Sequence, residues 1–308
     1  MDFGPYLMLA TLEGAVLAAV LALMASGLSL VFGVMRVVNV AHGEFYMLGA
    51  VLAWWVSSFF GGHAAIGFVA ALIIVPVLVG LLAAAADMTV LKRLDYDPER
   101  VIVATIGILY IIQQVTLMTY GADARPVVAP FNTRLALPWV EWVEGGPALY
   151  WPWGLSTTSY KLFVIVAAAV VLLAVWAMMR RSRIGLLMRA TQLDSDMAQA
   201  FGIPIERVYA LVFGIGAALA ALAGILVVPI QQAHYLMGGD ALLLSFIVVI
   251  IGGLGSLGGT VVAAILIGLS DGIISVFFTP TLAKIIATLL VAFVLVYRPQ
   301  GLFGTSDK

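Results

Sequence analysis

The chain has 308 residues, of which 63% are hydrophobic and only 10% charged, with a formal net charge of −1 at pH 7. A soluble domain carries about 25% charged and about 45–50% apolar residues, so this composition describes a polytopic membrane protein and offers no basic surface to nucleic acid. The absence of cysteine excludes disulfides, thiolate metal sites and a cysteine nucleophile. Apolar stretches of span length recur without the alternation of a membrane barrel, which predicts helices whose backbone bonds are satisfied internally. The expected fold is all-α, one transmembrane bundle over residues 1–308, with helical segments at 7–34, 45–60, 64–90, 101–119, 159–180, 205–230, 241–252, 257–278 and 282–297. Eight or nine of these form membrane segments, and one or two are broken or re-entrant. Met1–Pro5 carries only Asp2 and lacks the basic region of a signal peptide, so the first span is read as retained.

From Leu7 to Met35 the only ionisable side chain is Glu13, placed at the outer interface. There follows Arg36-Val37-Val38-Asn39-Val40-Ala41-His42-Gly43-Glu44, a cation, an amide, an imidazole and a carboxylate within nine residues. A charge at a helix centre costs about 2.5–3.5 kcal/mol on insertion scales. The cluster therefore needs a wet, protein-lined place, either a solute pathway inside the bundle or a cytoplasmic loop. Asp87 lies within a turn of Lys92 and Arg93 and reads as an ion-paired helix end.

Lys and Arg in short loops set the orientation. Lys92, Arg93 and Arg100, and then Arg180, Arg181, Arg183, Arg189 and Arg207, place 91–100 and 181–207 in the cytoplasm. Between them 120–158 is an outer, periplasmic loop, rich in Pro126, Pro130, Pro138, Trp139, Trp142, Pro147, Trp151, Pro152 and Trp153, with Glu141 and Glu144. Such aromatic rings suit the headgroup interface. The count of crossings then puts the N-terminus outside and the tail Arg298–Lys308 inside.

In 181–207, Arg183–Ala190 reads as a short amphipathic helix with Ile184, Leu187, Met188 and Thr191 on one side. Asp194 caps a second short helix, Gly202 ends it and Pro204 opens the next. This pair is either an ordinary loop or a docking element for a cytoplasmic partner. The span at 205–230 holds Gly214, Gly216, Ala217, Ala220, Ala221 and Gly224 and is expected at the centre of the bundle, because small side chains let membrane helices approach closely. The run Gly252-Gly253-Leu254-Gly255-Ser256-Leu257-Gly258-Gly259 breaks any helix, as a tight turn or as a solute-lining gap. It is no phosphate cradle, since no Lys-Ser/Thr follows. His63 and His234 read as loop residues without metal-ligand spacing. Asp271 is a lone carboxylate inside a span, either functional or close to the outer surface.

Three ordered motifs resemble the LivH-like permease subunits of bacterial branched-chain amino acid ABC importers. They are Gly27–Met35 running into Asn39–Ala50, then Ser182–Arg183–Ile184–Gly185 through Arg189–Ala190 with Asp194, Ala198 and Gly202–Ile203, and lastly Gly252–Gly259. The ending Arg298–Gly304 looks like the same family, and the resemblance covers nearly the whole length. It implies a non-enzymatic subunit of the bacterial inner membrane, embedded in lipid. Its partners would be a LivM-like second permease, two ATP-binding subunits and a periplasmic substrate-binding protein. No cofactor is implied here: the partners bind and hydrolyse ATP, in keeping with a chain that has no Walker motif. By the same resemblance Asn39, His42, Gly43, Glu44, Gly252, Gly253, Gly255 and Gly258 would belong to the translocation path or gate, to which the intramembrane carboxylate Asp271 is added on its own account. Arg183, Gly185, Arg189, Asp194, Ala198 and Gly202 would couple to the ATPase. The expected cargo is a branched-chain or other hydrophobic amino acid, with urea, short amides and aromatic or aliphatic acids as alternatives within the architecture. A self-sufficient secondary transporter using Asp271 or Glu44 is the rival from another class.

Overall fold

The structure, a computed structural model, describes residues 3–61, 63–136, 139–143, 146–150, 156–298 and 300–303. Met1, Asp2, Pro138, Glu144, Trp151, Pro152, Trp153, Pro299 and Gly304–Lys308 lie outside the described residues. The helices are α1 (Phe3–Met35), α2 (His42–Phe59), α3 (Ala64–Thr89), α4 (Pro98–Tyr120), α5 (Ser159–Arg181), α6 (Arg183–Leu193), α7 (Ser195–Ala200), α8 (Ile205–Val227), α9 (Met237–Gly252), α10 (Leu257–Phe277) and α11 (Pro280–Tyr297). Among the described residues six of them, α1, α3, α4, α5, α8 and α10, are by length and composition long and apolar enough to cross a membrane. The expected set of eight or nine segments thus separates into six full-length helices and the shorter α2, α9 and α11.

The expectation of an all-α chain needs one correction. Within 120–158 two antiparallel pairs form, β1 (Arg134–Ala136) with β4 (Ser156–Thr158), and β2 (Trp139–Val143) with β3 (Gly146–Tyr150). Prolines bar a helix through this segment, while the aromatic and β-branched run Trp139-Val140-Glu141-Trp142-Val143 favours an extended pairing.

The bundle is organised about α1 and α8, the two most enclosed spans. Small residues make this possible: Gly27 meets the Gly216 backbone, and Gly80 of α3 meets Gly214. The expectation that 205–230 is central holds. The chain is also arranged as two inverted halves. α1 runs to one end of the bundle at Met35, and a non-helical segment then turns back so that His42 lies beside Met24. That return retraces about 16 Å of α1 at 1.5 Å per residue. α8 runs the other way, and after it the chain turns back until Gly238 meets Gly43. Each half therefore has a long helix, a return, and a helix that begins inside the bundle. In each, the next helix packs on the other half's first: α3 on α8, and α10 on α1. Internal inverted repeats of this kind place solute sites at the repeat interface in membrane transporters.

Candidate translocation site

The first element of the site is the start of α2. Asn39, His42 and Glu44 are all buried, at 1%, 0% and 2% exposure. These three lie inside the bundle, whereas Arg36, at the start of the same cluster, is exposed at the Met35 end. The return segment has no helical partners for its backbone, so side chains supply them. The Thr105 hydroxyl of α4 accepts from the Val40 amide at 3.3 Å, and the Asn39 side chain accepts from the Ala41 amide at 3.0 Å. The His42 ring bonds through Nε2 to the Met24 carbonyl at 3.0 Å. A carbonyl only accepts, so Nε2 carries the proton. His42 Nδ1 and Glu44 Oε2 are buried with no hydrogen-bond partner. Gly43 and Gly238 pack backbone on backbone, and a Cβ on either would overlap the other's carbonyl.

Beyond this plug, toward the Tyr120 end, lies a cavity of about 470 Å³ between α1, α2, α9, α10 and α11. Tyr46, Met24, Val20 and Leu244 line one part of it, and Glu13, Asp240, Asp271 and Lys284 another. Glu13 is ion-paired with Lys161, and Asp240 with Lys284 at 2.9 Å. Asp271 accepts a long bond of 3.4 Å from the Ser275 hydroxyl. Asp271 thus faces the open cavity, whereas Asn39, His42 and Glu44 do not line it and lie buried beside the Gly43–Gly238 contact.

At the Met35 end a second, polar cavity of about 630 Å³ is lined by Arg36, Asp95, Tyr96, Asp194, Asp196 and Tyr209 among others. Arg36, Asp95 and Tyr96 have φ of 56°, 53° and 54°, so the non-glycine residues held left-handed among the described residues gather at this one mouth. Such strain persists where surrounding contacts enforce it. Arg36 donates to the Gln192 carbonyl, and Tyr96 stacks edge-on against Tyr209 with centroids 4.6 Å apart. Burial, reinforced by the Asp87 carboxylate, raises the Tyr96 hydroxyl above its ordinary range. Among the described residues Asp87 does not form the ion pair expected of it. It is fully buried and takes a 3.3 Å bond from Tyr96, while Lys92 reaches Glu206 at 2.6 Å, because the 3₁₀ turn after α3 swings it toward α8.

The two short helices expected within 181–207 form at this same end. Ser182 caps α6 through the Gly185 amide, and Asp194 caps α7 through the amides of Asp196 and Met197, both at 3.0 Å. Gly185 lies tight on the Met178 and Met179 carbonyls, and Gly202 closes the pair at φ 84°. The buried side of α6 is Gly185, Met188 and Thr191. Ile184, expected with them, is turned outward at 40% exposure. Ala198 is buried, Arg183 and Asp194 are exposed, and Arg189 has a buried guanidinium nitrogen with no hydrogen-bond partner. Leu193, Met197 and Phe201 stand 82%, 56% and 82% exposed.

The glycine run is the turn between α9 and α10 at this end. Gly253 and Gly255 take φ of 102° and 80°. Gly252 packs on Gly259, Gly253 on Gly301 of the tail, and Gly255 on Gly33 of α1, with the Gln192 side chain alongside. Gly258 meets nothing at this turn and faces an apolar groove with α1 and α5. None of these glycines borders the 470 Å³ cavity. The sequence reading missed Gly238, Thr105, Asp240 and Lys284. One signal was available: Gly238-Gly239-Asp240 opens α9 as His42-Gly43-Glu44 opens α2.

The chain is similar along its length to known permeases. A family model described as branched-chain amino acid transport system / permease component matches residues 10–295. The LivH permease protein of the high-affinity branched-chain amino acid transport system of Escherichia coli (strain K12) is 26% identical, covering 96% of this chain and 94% of its own. The BraD permease protein of Pseudomonas aeruginosa is also 26% identical, covering 96% and 95%. The solved structure of PsaBC from Streptococcus pneumoniae in complex with Fab aligns with a TM-score of 0.50 at 12% identity over 94% of this chain and 92% of that one, a likeness of fold alone. This multi-pass membrane protein belongs to the family of branched-chain amino acid transport permeases.

Proposed function

We propose that the chain is one permease subunit of an ATP-driven importer of branched-chain or other hydrophobic amino acids in the bacterial inner membrane. A LivM-like second permease, two ATP-binding subunits and a periplasmic binding protein complete it. The observation that carries this reading is the α6–α7 element. It is capped at both starts and fixed on its inner side, yet presents Leu193, Met197 and Phe201 outward from a helix pair rich in charge. Apolar side chains so exposed at a loop end, away from the spans, suit a partner protein.

In this reading the Met35 end is cytoplasmic and the Tyr120 end faces the binding protein. The α2–α9 contact, with Asn39, His42, Gly43 and Glu44 around it, is the closed point of the path between the two cavities. Movement of α6–α7 reaches that point by two routes. One runs through Arg36, which bonds the Gln192 carbonyl and begins the return segment. The other runs through the turn at Gly252, Gly253 and Gly255, which packs on α1 and ends α9. Gly258 flanks that turn. ATP drives the change only by favouring one arrangement of its subunits over the other.

The test is Phe201→Asp in the complete system. The exposed position should leave folding and insertion intact. A buried aromatic anchor at an interface is worth about 2 kcal/mol or more, so coupled uptake should fall by about thirtyfold and the ATPases should be lost on mild-detergent capture. A variant that retains ATPases and transports normally overturns the docking assignment. Transport by this chain alone, driven by membrane potential, overturns the importer.

A further inference from the structure

We propose that the 470 Å³ cavity is a binding subsite for an α-amino acid zwitterion with an aliphatic side chain, in which Asp271 receives the ammonium group and Lys284 the carboxylate. The proposal rests on the reading of the chain as an amino acid permease and names the residues that would hold the solute.

The charges argue for it first. Three carboxylates, Glu13, Asp240 and Asp271, line the cavity. Glu13 is neutralised by Lys161 and Asp240 by Lys284, whereas among the described residues Asp271 has no ion pair of its own: it takes the Ser275 hydroxyl at 3.4 Å and feels the Lys284 ammonium only at longer range. An ionised carboxylate offers about four acceptor positions, so Asp271 has most of its capacity free. A carboxylate in a span that is neither paired nor sealed is costly unless something polar meets it. An ammonium group fits that need, and a solute that is only an anion would be repelled.

The opposite charge is also at hand. Lys284 has three donors and spends one on Asp240, in a pair whose side chains are 50% and 81% exposed. Exposed pairs of this kind are weak, so the ammonium can turn to a solute carboxylate at little cost. Much of the remaining wall is hydrocarbon, Leu17, Val20, Met24, Ile230 and Leu244, with the Gln231 amide and the Ser275 hydroxyl at its polar part. That hydrocarbon offers burial to an aliphatic side chain, which a sugar or urea does not carry. The floor is Tyr46 and Met237, directly beside the Gly43–Gly238 plug, so a solute held here waits at the closed point.

The chain contains no natural cysteine, so a single introduced thiol is a clean reporter. Leu244→Cys places one in the cavity wall. In membranes containing the full complex, its labelling by aminoethyl methanethiosulfonate should slow about tenfold at a leucine concentration ten times the half-protecting one. 4-Methylpentanoate has the same side chain and no ammonium group, and should not protect. Adding Asp271→Asn should raise the half-protecting leucine concentration by about tenfold or more. Equal protection by 4-methylpentanoate, protection that survives Asp271→Asn, or no protection by leucine overturns the subsite. The labelling rate does not depend on the energy source. A chain that proves to work without ATPases would therefore still report leucine protection if the subsite is real, and the two readings fail separately.

Discussion

The starts of α2 and α9 occupy equivalent places in the two halves, yet they treat charge in opposite ways. Each begins inside the bundle, with a glycine pressed against the other's and an acid in its first turn. Glu44 is buried with one oxygen unpartnered, whereas Asp240 is exposed and paired with Lys284. Repetition of a backbone plan thus leaves the electrostatics free to diverge. One copy is sealed by packing and the other borders the open cavity. The closed copy is set by packing, where a methyl group matters, and the open copy by charges that water already screens.

Three changes break or sharpen that contrast. The largest effect belongs to Gly43→Ala. Its methyl would overlap the Gly238 carbonyl, and backbone cannot yield as a side chain does. Overpacking costs about 1–3 kcal/mol, and here thermal stability in detergent should fall together with loss of transport. A variant with unchanged Tm would show that the two helix starts are not in firm contact. Next is Glu44→Gln. A buried carboxylate lacking a partner is expensive, and the neutral amide removes that cost without changing shape. Stability should rise, read as a higher Tm, while coupled uptake falls if the charge serves the path. A drop in Tm would mean that an unseen partner satisfies Glu44. Smallest is Asp240→Asn. An exposed pair contributes about 0–1 kcal/mol, so Tm should hardly move, and what little changes should vanish at high salt. A large destabilisation would move Asp240 into the same class as Glu44.

Much of this was legible in the sequence because it depends on local chemistry. Asp194 and Gly202 flank α7 as their side-chain and backbone preferences dictate, and the small residues of α8 mark it as central. The loops rich in Lys and Arg gather with the tail at one end, as Gly301 on Gly253 and Lys92 on Glu206 show. Long-range choices were not legible. Nothing near Asp87 says that Lys92 prefers Glu206, since that depends on where α8 lies. The rotation of α6 that buries Gly185 and exposes Ile184 is decided by the Met178 and Met179 carbonyls. The return of Arg36–Ala41 into the bundle depends on Thr105, 65 residues from Val40. Hydropathy alone treats that stretch as a loop.

That return also bears on how the protein is made. A helix enters the bilayer readily when its own side chains are apolar enough, but α2 opens on His42 and Glu44 behind a backbone bonded to Asn39 and Thr105. Its first turn meets α1 through His42, but the cover that Gly238 gives Gly43 comes from a glycine synthesised after α8. The long apolar helices can take their places as they emerge from the ribosome. The Gly43–Gly238 contact cannot form until α9 exists, so the packing between the two helix starts is completed late in assembly, after most of the chain has been made.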